Sequence, residues 1–328
     1  MSTKSTSLDL LRRPLLTRGF VVGVDGGGSK TRAAVMDSEH VLGEGSAGPS
    51  NPLRVGLATA AAAVRDAIDK ACSAASIKRH EIAAVGVGLA GVRRGDIRAR
   101  MRETLIATLG IKQIELVSDG DIALSAATNG QPGVVVIAGT GSICCGMNAR
   151  GKRVCAGGWG PLVGDEGGGS WIARRALMAV AYESDGRGPK TTLTPAACAY
   201  FHVGVADDLS TAIYAPTITN ERIAGFARVV IETAASGDPV ARSILNEAGK
   251  ELGRTTVAVI RKLQLETERF QVAYVGGMFS AGELIIAPLR EEIEQVAKKA
   301  FIAPPNSLPT IAAARMARAL VPELALAV

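Results

Sequence analysis

An acidic residue and a glycine-rich turn, each placed after an apolar run, are the first candidates for chemistry in this 328-residue sequence. The apolar run Ile114 to Val117 leads to Asp119, and the run Val134 to Ala138 leads to the turn Gly139-Thr140-Gly141-Ser142. A carboxylate can accept the proton of a hydroxyl group, and a glycine-rich turn lets backbone N–H groups approach a phosphate. The two features together predict a phosphoryl-transfer site in which Asp119 activates a hydroxyl.

Two more glycine-rich turns follow predicted buried strands. The strand Phe270 to Val275 runs into Gly276-Gly277, which suits close approach of a nucleotide. The strand Phe20 to Asp25 runs into a turn whose backbone could hold phosphates, formed by Gly26, Gly27, Gly28, Ser29, Lys30 and Thr31. This turn is not a Walker A loop, because the spacing does not fit and no helix follows directly. Asp25 could hold Mg²⁺ through water. Taken alone, the turn would be an ordinary tight hairpin, but three such turns favour a nucleotide site.

A glycine-rich loop from Gly157 to Ser170 has little conformational preference of its own. We expect a ligand or a packed neighbour to order it. It contains an acidic pair, Asp165-Glu166, and one aromatic residue, Trp159. Two interpretations of Trp159 remain open: an anchor in the core, or an apolar platform for the face of a sugar.

Composition argues against several functional classes. Aromatic residues make up 4% of the chain and the net charge of +6 is spread along it, which disfavours a nucleic-acid surface. No apolar run approaches the roughly 18 residues of a membrane span, so no membrane partner is expected. The five cysteines show no CxxC or Cys/His spacing and no secretory signal precedes them, which predicts reduced thiols in a cytoplasmic protein.

The order of predicted elements indicates an α/β protein with two domains. Three strands in a meander and then alternating helices and strands predict a mixed sheet in the first part. We place a flexible extension at residues 1–18, a first domain at 19–118 and a second at 119–309. Residues 184–217 are predicted to be an irregular, partly helical insertion.

The three turns together resemble motifs of the superfamily that includes hexokinase, actin and the heat-shock ATPases. Asp25 to Thr31 resembles the first phosphate motif, Gly139 to Ser142 the second, and Gly276 to Ser280 the adenosine motif. Within that superfamily, the run from Gly157 to Gly167 is similar to the N-acetylglucosamine kinases of the BadF/BadG/BcrA/BcrD ATPase group, as is Ser118-Asp119 ahead of the second phosphate motif. The resemblance extends in order from Gly19 to about Leu320.

The resemblance implies two ribonuclease-H-like domains with mixed sheets flanked by helices and an active-site cleft between them. It implies that the helix within residues 310–328 joins the first domain, and that ATP and Mg²⁺ are used. It makes Asp119 the catalytic base and puts Asp25 near Mg²⁺. A homodimer is common among such proteins. The residues it places around the sugar, with Asp119, are Asn51, Thr140, Gly158, Trp159 and Asp165. Ala90 departs from the pattern, because some relatives have a serine there.

The expected function is transfer of the γ-phosphoryl group of ATP to the 6-hydroxyl of N-acetylglucosamine. Glucosamine is the second choice, and N-acetylmuramic acid and N-acetylmannosamine stay open. One alternative is an ATPase activator of an iron–sulfur dehydratase or reductase, for which the adjacent Cys144 and Cys145 would be ligands. Another is a non-catalytic sugar sensor, which would leave Asp119 and three phosphate-type turns without a task.

Overall fold

The computed structural model describes residues 19–38 and 40–321, which form two compact units. The first unit contains the described residues up to Ile122 and those from Leu308 onward, and the second runs from Ala123 to Ser307. The extension predicted at residues 1–18 lies outside the described residues. No helix among the described residues is long and apolar enough to cross a membrane.

The first unit is built on a five-stranded mixed sheet in the order β3-β2-β1-β4-β5. Strands β1, β2 and β3 form an antiparallel meander, and β4 and β5 run parallel to β1. The strands are β1 (Phe20–Gly26), β2 (Thr31–Met36), β3 (Val41–Ala47), β4 (Ile82–Leu89) and β5 (Ile114–Ser118). The helices begun in this unit are α1 (Pro52–Val55), α2 (Leu57–Ala74), α3 (Gly95–Leu109), α4 (Asp119–Thr128) and α11 (Pro309–Arg318).

The two faces of this sheet are covered by different helices. Side chains alternate along β1, so that Val22 and Val24 pack in the cluster that contains α2, whereas Val21 packs with α11. Helix α11 lies very close to the sheet, because a Cβ added to Gly86 would fall 1.9 Å from the carbonyl oxygen of Ala313. The absence of a side chain at Gly86 therefore allows this helix to dock.

The second unit repeats the pattern with a sheet in the order β10-β9-β6-β7-β8. Strands β6, β7 and β8 form a second antiparallel meander, β9 runs parallel to β6, and β10 parallel to β9. The strands are β6 (Gly133–Ala138), β7 (Ser142–Met147), β8 (Arg153–Gly157), β9 (Gln271–Val275) and β10 (Phe301–Ala303). The helices are α5 (Gly169–Ser184), α6 (Leu193–Phe201), α7 (Leu209–Ile213), α8 (Asn220–Ala235), α9 (Pro239–Leu263) and α10 (Glu283–Glu294).

This architecture confirms the predicted α/β class with two mixed sheets flanked by helices. The region predicted to be irregular, residues 184–217, contains α6 and α7 joined by turns. The core of the second unit is built mainly from aliphatic side chains and alanines around the aromatic pair Phe201 and Phe226.

The prediction that all five cysteines are reduced is wrong for two of them. Cys145 in β7 lies directly opposite Cys155 in β8, with a Cα–Cα distance of 4.1 Å, and the two form a disulfide. The sequence did not reveal this pair, because only the register of the two strands brings the residues together. Cys72 and Cys144 are buried thiols, and burial raises their pKa values to about 11 and about 12, so both stay protonated at neutral pH.

Candidate active site

The turn after β1 is held by its own backbone and by the segment after β3. The Gly27 N–H donates to the carbonyl oxygen of Lys30 at 2.9 Å, and the Ser50 N–H donates to that of Gly27 at 3.0 Å. Thr31 is fully buried; its hydroxyl donates to the carbonyl oxygen of Gly48 at 2.7 Å and lies 2.8 Å from Ser50 Oγ. The Thr31 hydroxyl thus forms its hydrogen bonds within the protein, whereas Ser29 and Lys30 are exposed.

Asp25 is half-buried at the end of β1, opposite Arg32 in the ladder between β1 and β2. Burial raises the pKa of Asp25, the negative charge of Asp119 raises it further, and Arg32 opposes both effects. Two carboxylates from different strand ends therefore share one environment in this unit. Such a pair attracts a divalent cation.

Asp119 stands at the first position of α4, directly after β5. Its Oδ1 accepts a hydrogen bond from the Gly120 N–H at 2.9 Å. Ser118 and Asp121 form two reciprocal hydrogen bonds. The Ser118 hydroxyl donates to Asp121 Oδ2 at 2.7 Å, and the Asp121 N–H donates to Ser118 Oγ at 3.2 Å. This exchange caps the helix, so Asp119 is not needed for that role. Burial raises the pKa of Asp119, and the Gly120 hydrogen bond and the charge of Arg93 only partly offset it.

Asn51 lies just before α1 in the same unit. Its Oδ1 accepts a hydrogen bond from the Leu53 N–H at 3.0 Å, which caps this short helix. The loop after β4 passes directly against Asn51, because a Cβ on Gly91 would fall 2.3 Å from Asn51 Oδ1. The Asn51 side-chain NH₂ has no hydrogen-bond partner within the part of the chain that the structure describes, which leaves two donors for a ligand.

In the second unit, the turn after β6 and the loop from Gly157 to Ser170 form one hydrogen-bonded assembly. The Gly169 N–H donates to Gly139 O at 2.8 Å, and the Ser170 N–H donates to Thr140 O at 2.9 Å. The Ser142 hydroxyl donates to Glu166 O at 2.7 Å. The start of α5 is therefore fastened to the predicted second phosphate turn.

Asp165 lies inside this assembly and is only 8% exposed. It adopts a left-handed backbone conformation (φ +58°), and its Oδ1 accepts a hydrogen bond from the Gly160 N–H at 3.1 Å. Burial raises its pKa, although that hydrogen bond lowers it in part. A Cβ on Gly141 would fall 2.2 Å from Asp165 Oδ2. Only glycine at 141 lets the Asp165 carboxylate reach the predicted second phosphate turn.

Trp159 is 76% exposed, and its neighbours Leu162 and Val163 are exposed as well. The interpretation of Trp159 as a core anchor is therefore wrong. The loop backbone is nonetheless fixed near this residue, since the Gly158 N–H donates to Ser142 O at 2.9 Å. An exposed indole on a fixed loop can offer its face to a ligand.

The turn after β9 packs onto the end of β6. Gly276 has φ +120°, and a Cβ there would fall 2.2 Å from the carbonyl oxygen of Ala138. Gly277 begins a short 3₁₀ turn, Gly277–Ala281, that precedes α10. The predicted adenosine turn thus lies next to the predicted second phosphate turn.

Each unit therefore collects one part of the predicted site. The first unit holds Asp25, Gly26, Gly27, Gly28, Ser29, Lys30, Thr31, Asn51 and Asp119. The second unit holds Gly139, Thr140, Gly141, Ser142, Gly158, Trp159, Asp165, Gly276 and Gly277. Sequence reasoning missed two residues that shape these parts, Ser50 and Gly91, and it named Ser118 only as part of the resemblance. Only Ser118 carries a local signal, since it stands three residues before the acidic Asp121 in a capping pattern.

Comparison with known proteins gives a consistent result. The sequence profile described as the BadF/BadG/BcrA/BcrD ATPase family matches residues 22–314. The chain is 33% identical over 263 residues to an N-acetylmuramic acid/N-acetylglucosamine kinase of Clostridium acetobutylicum, covering 80% of this chain and 86% of that protein. It is 30% identical over 314 residues to an N-acetyl-D-glucosamine kinase of Dictyostelium discoideum, covering 92% and 98%.

A solved structure has the same fold over nearly the whole length. It comes from Chromobacterium violaceum and is provisionally assigned as an N-acetylglucosamine kinase; it superposes with a TM-score of 0.75 at 28% identity, covering 92% of this chain and 99% of that one. A profile match over most of the chain and relatives at this level of identity establish the family. The chain belongs to the BadF/BadG/BcrA/BcrD ATPase family.

Proposed function

We propose that this protein is an ATP-dependent amino-sugar kinase that transfers the γ-phosphoryl group of ATP to the 6-hydroxyl of N-acetylglucosamine. The relatives from Clostridium acetobutylicum and Dictyostelium discoideum are both named for kinase activity on N-acetylglucosamine. The observation that carries the mechanism is Asp119, a half-buried carboxylate at a strand end that the Ser118–Asp121 exchange leaves out of helix capping.

In this proposal Asp119 orients the sugar hydroxyl and accepts its proton as the oxygen attacks phosphorus. Because burial raises its pKa, Asp119 is a stronger base than an ordinary aspartate. The backbone N–H groups of Gly26 to Thr31 and of Gly139 to Ser142 would hold the β- and γ-phosphates, and Gly276-Gly277 would lie along the adenosine. Phosphoryl transfer depends mostly on such positioning and charge stabilisation.

Each unit offers candidate donors or acceptors for the sugar. The Asn51 side-chain NH₂ and the Asp165 carboxylate are hydrogen-bonding groups held by the backbone around them. Trp159 would cover an apolar face of the ring, with Thr140 and Gly158 beside it.

The acidic residues of the first unit fit a magnesium ion. Asp25 and Asp119 are two carboxylates close enough to raise the pKa of Asp25. The described residues contain no cluster of three acidic, histidine or cysteine side chains that could hold a metal alone. Mg²⁺ is usually bound through one or two carboxylates together with substrate phosphates. Bound there, the ion would offset phosphate charge. We further propose a homodimer, because homodimers are common among the proteins that the chain resembles, and a cytoplasmic location.

The test is ADP release from ATP and Mg²⁺ in the presence of single amino sugars. N-acetylglucosamine should give the highest kcat/KM. We expect Asp119→Asn to reduce sugar-dependent turnover by about 10²- to 10⁴-fold, because the amide cannot accept the proton. Nucleotide affinity, measured by calorimetry, should change little.

Asp69→Asn is the matched control, because Asp69 pairs with Arg79 on the surface and its loss should leave turnover intact. Full activity of Asp119→Asn would remove Asp119 from the role of base. Absence of ADP with every sugar would reject the kinase proposal.

Glucosamine is the second candidate substrate, since a glucosamine kinase of Vibrio cholerae is 26% identical over 245 residues. The alternative hypothesis, an ATPase activator of an iron–sulfur enzyme, is not favoured by the state of Cys144 and Cys145. Cys144 is fully buried and Cys145 is in a disulfide, so neither offers a thiolate to a cluster.

A further inference from the structure

One cationic side chain near the proposed base Asp119, that of Arg93, has no role in the proposed phosphoryl transfer. Arg93 is exposed in the loop between β4 and α3, and its charge acts on Asp119. Among residues 19–38 and 40–321, no acidic side chain forms an ion pair with Arg93. Its neighbour Arg94 differs, because it forms a two-bond pair with Asp96 at 3.1 and 2.9 Å.

The backbone that carries Arg93 is fixed on both sides. The Ala90 N–H donates to Gly26 O at 2.9 Å, which ties the start of the loop to the first phosphate turn. Arg98 holds its end, donating from Nε to Val92 O at 3.1 Å and from Nη2 to Arg93 O at 3.3 Å. A guanidinium on a fixed loop loses less entropy when it binds a ligand.

The middle of the same loop touches the proposed sugar ligand Asn51. Gly91 lies against Asn51 Oδ1 so closely that no side chain fits between them. The loop that carries Arg93 therefore lies against a residue proposed to bind the sugar ring. It follows Leu89, which pairs with Ser118, the residue before Asp119. A neutral sugar does not need a cation there.

We propose that Arg93 is a specificity-determining residue that binds a carboxylate carried by the sugar. This inference rests on the proposed function and assigns a residue of the chain to one class of sugar: N-acetylated amino sugars with an anionic substituent. N-acetylmuramic acid, which is N-acetylglucosamine with a lactyl ether on the 3-oxygen, has that chemistry. The planar fork of an arginine matches a carboxylate with two parallel hydrogen bonds. It also offsets the repulsion between that carboxylate and Asp119.

The test compares two sugars in the same enzyme. The quantity measured is kcat/KM for N-acetylmuramic acid divided by kcat/KM for N-acetylglucosamine. Any effect of Arg93 on Asp119 or on the transferred phosphoryl group acts on both sugars and cancels in this ratio. We expect wild type to phosphorylate both, and Arg93→Met to lower the ratio by about 10- to 100-fold through KM of the anionic sugar.

Two further variants sharpen the result. Arg93→Lys keeps the charge but loses the planar guanidinium that forms two parallel hydrogen bonds. Its ratio of kcat/KM values should therefore lie between those of Arg93→Met and wild type. Arg94→Met removes an equal charge one residue away, and the ratio should stay at the wild-type value. An equal drop of both kcat/KM values in Arg93→Met would overturn the inference and assign Arg93 to the phosphoryl group or to Asp119.

Binding of the two sugars, followed by calorimetry, separates this inference from the proposed function. If wild type binds or phosphorylates N-acetylglucosamine but ignores N-acetylmuramic acid, the inference fails and the kinase proposal stands. If no sugar yields ADP, the kinase proposal fails. The inference then survives only if Arg93→Met selectively weakens binding of the anionic sugar.

Discussion

Single residues decide how closely segments of the chain approach one another within a unit. Gly141 and Asp165 are the clearest case, because the Asp165 carboxylate occupies the space that a side chain on residue 141 would need. The carboxylate is buried and its backbone has a positive φ, which costs free energy for a residue other than glycine. Backbone strain of this kind is typical of positions kept for function.

Gly141→Ala should therefore destabilise the second unit. The methyl group would meet Asp165 Oδ2 at 2.2 Å and Cγ at 2.7 Å, so the turn or the loop must move. We expect the free energy of unfolding to fall by about 1–3 kcal/mol, measured by chemical denaturation. Gly139→Ala is the matched control in the same turn, because a Cβ there meets nothing within 4 Å. Equal stability of the two variants would contradict the close fit between Gly141 and Asp165.

At the scale of elements, the long helix α9 is fixed by its first residues. Asp238 precedes Pro239 and is 7% exposed. Its Oδ1 accepts the Ala241 N–H at 2.9 Å, and its Oδ2 accepts the Thr192 N–H at 2.7 Å. The Thr191 hydroxyl also donates to Oδ2, at 2.9 Å. One carboxylate thus caps α9 and joins it to the segment before α6.

This cap should make stability depend on pH. Burial alone would raise the pKa of Asp238, but its hydrogen bonds outweigh that effect and hold the pKa below the usual value. A lowered pKa stabilises the fold above the unfolded pKa of about 3.9, and the contribution is lost as the pH falls through the folded pKa. Asp238→Asn should therefore lower the free energy of unfolding by about 1–3 kcal/mol at neutral pH. The difference from wild type should shrink below about pH 4.

The control is a neutral cap on the neighbouring helix α8. Thr219 Oγ1 accepts the Arg222 N–H at 3.2 Å, and Thr219→Ala should cost about 1 kcal/mol at every pH. Urea denaturation of the three proteins from pH 3 to pH 7 provides the measurement. A loss in Asp238→Asn that is the same at both ends of this range would show that Asp238 acts without its charge.

The sequence predicts elements better than it predicts contacts between them. The predicted meander of the first part is present as β1 to β3, and the predicted runs Val134 to Ala138 and Phe270 to Val275 overlap β6 and β9. The exposure of Trp159 could not be predicted, because a tryptophan suits a core and a ligand surface equally well. The pairing of Cys145 with Cys155 depends on strand register, and the position of Arg93 depends on how a loop folds back. Neither leaves a local pattern in the chain.

At the scale of the whole molecule, the same sheet pattern occurs twice. Each unit has an antiparallel meander extended by parallel strands, and each presents glycine-rich turns at the ends of its strands. The first unit is completed by α11, which comes after the entire second unit in the sequence. Its stability therefore depends on segments that are far apart along the chain.

Gly86→Ala should weaken that completion. The added methyl group would lie 1.9 Å from the carbonyl oxygen of Ala313, so α11 would have to move away from the sheet. We expect the free energy of unfolding of the first unit to fall by about 1–3 kcal/mol. Gly95→Ala, at the start of α3 with nothing within 4 Å of its added Cβ, should be neutral. Cleavage within α11 by a protease should become faster in Gly86→Ala alone, and unchanged cleavage would show that α11 is not held by this contact.

The late position of α11 also affects how the protein is made. During translation, the apolar face of the first sheet, with Val21 and Ala84, emerges from the ribosome long before the helix that covers it. The second unit is continuous in the sequence, so it can fold as soon as Ser307 is out. The first unit must wait with one face open to water or to a chaperone, and a slow or interrupted translation of the second unit lengthens that exposure.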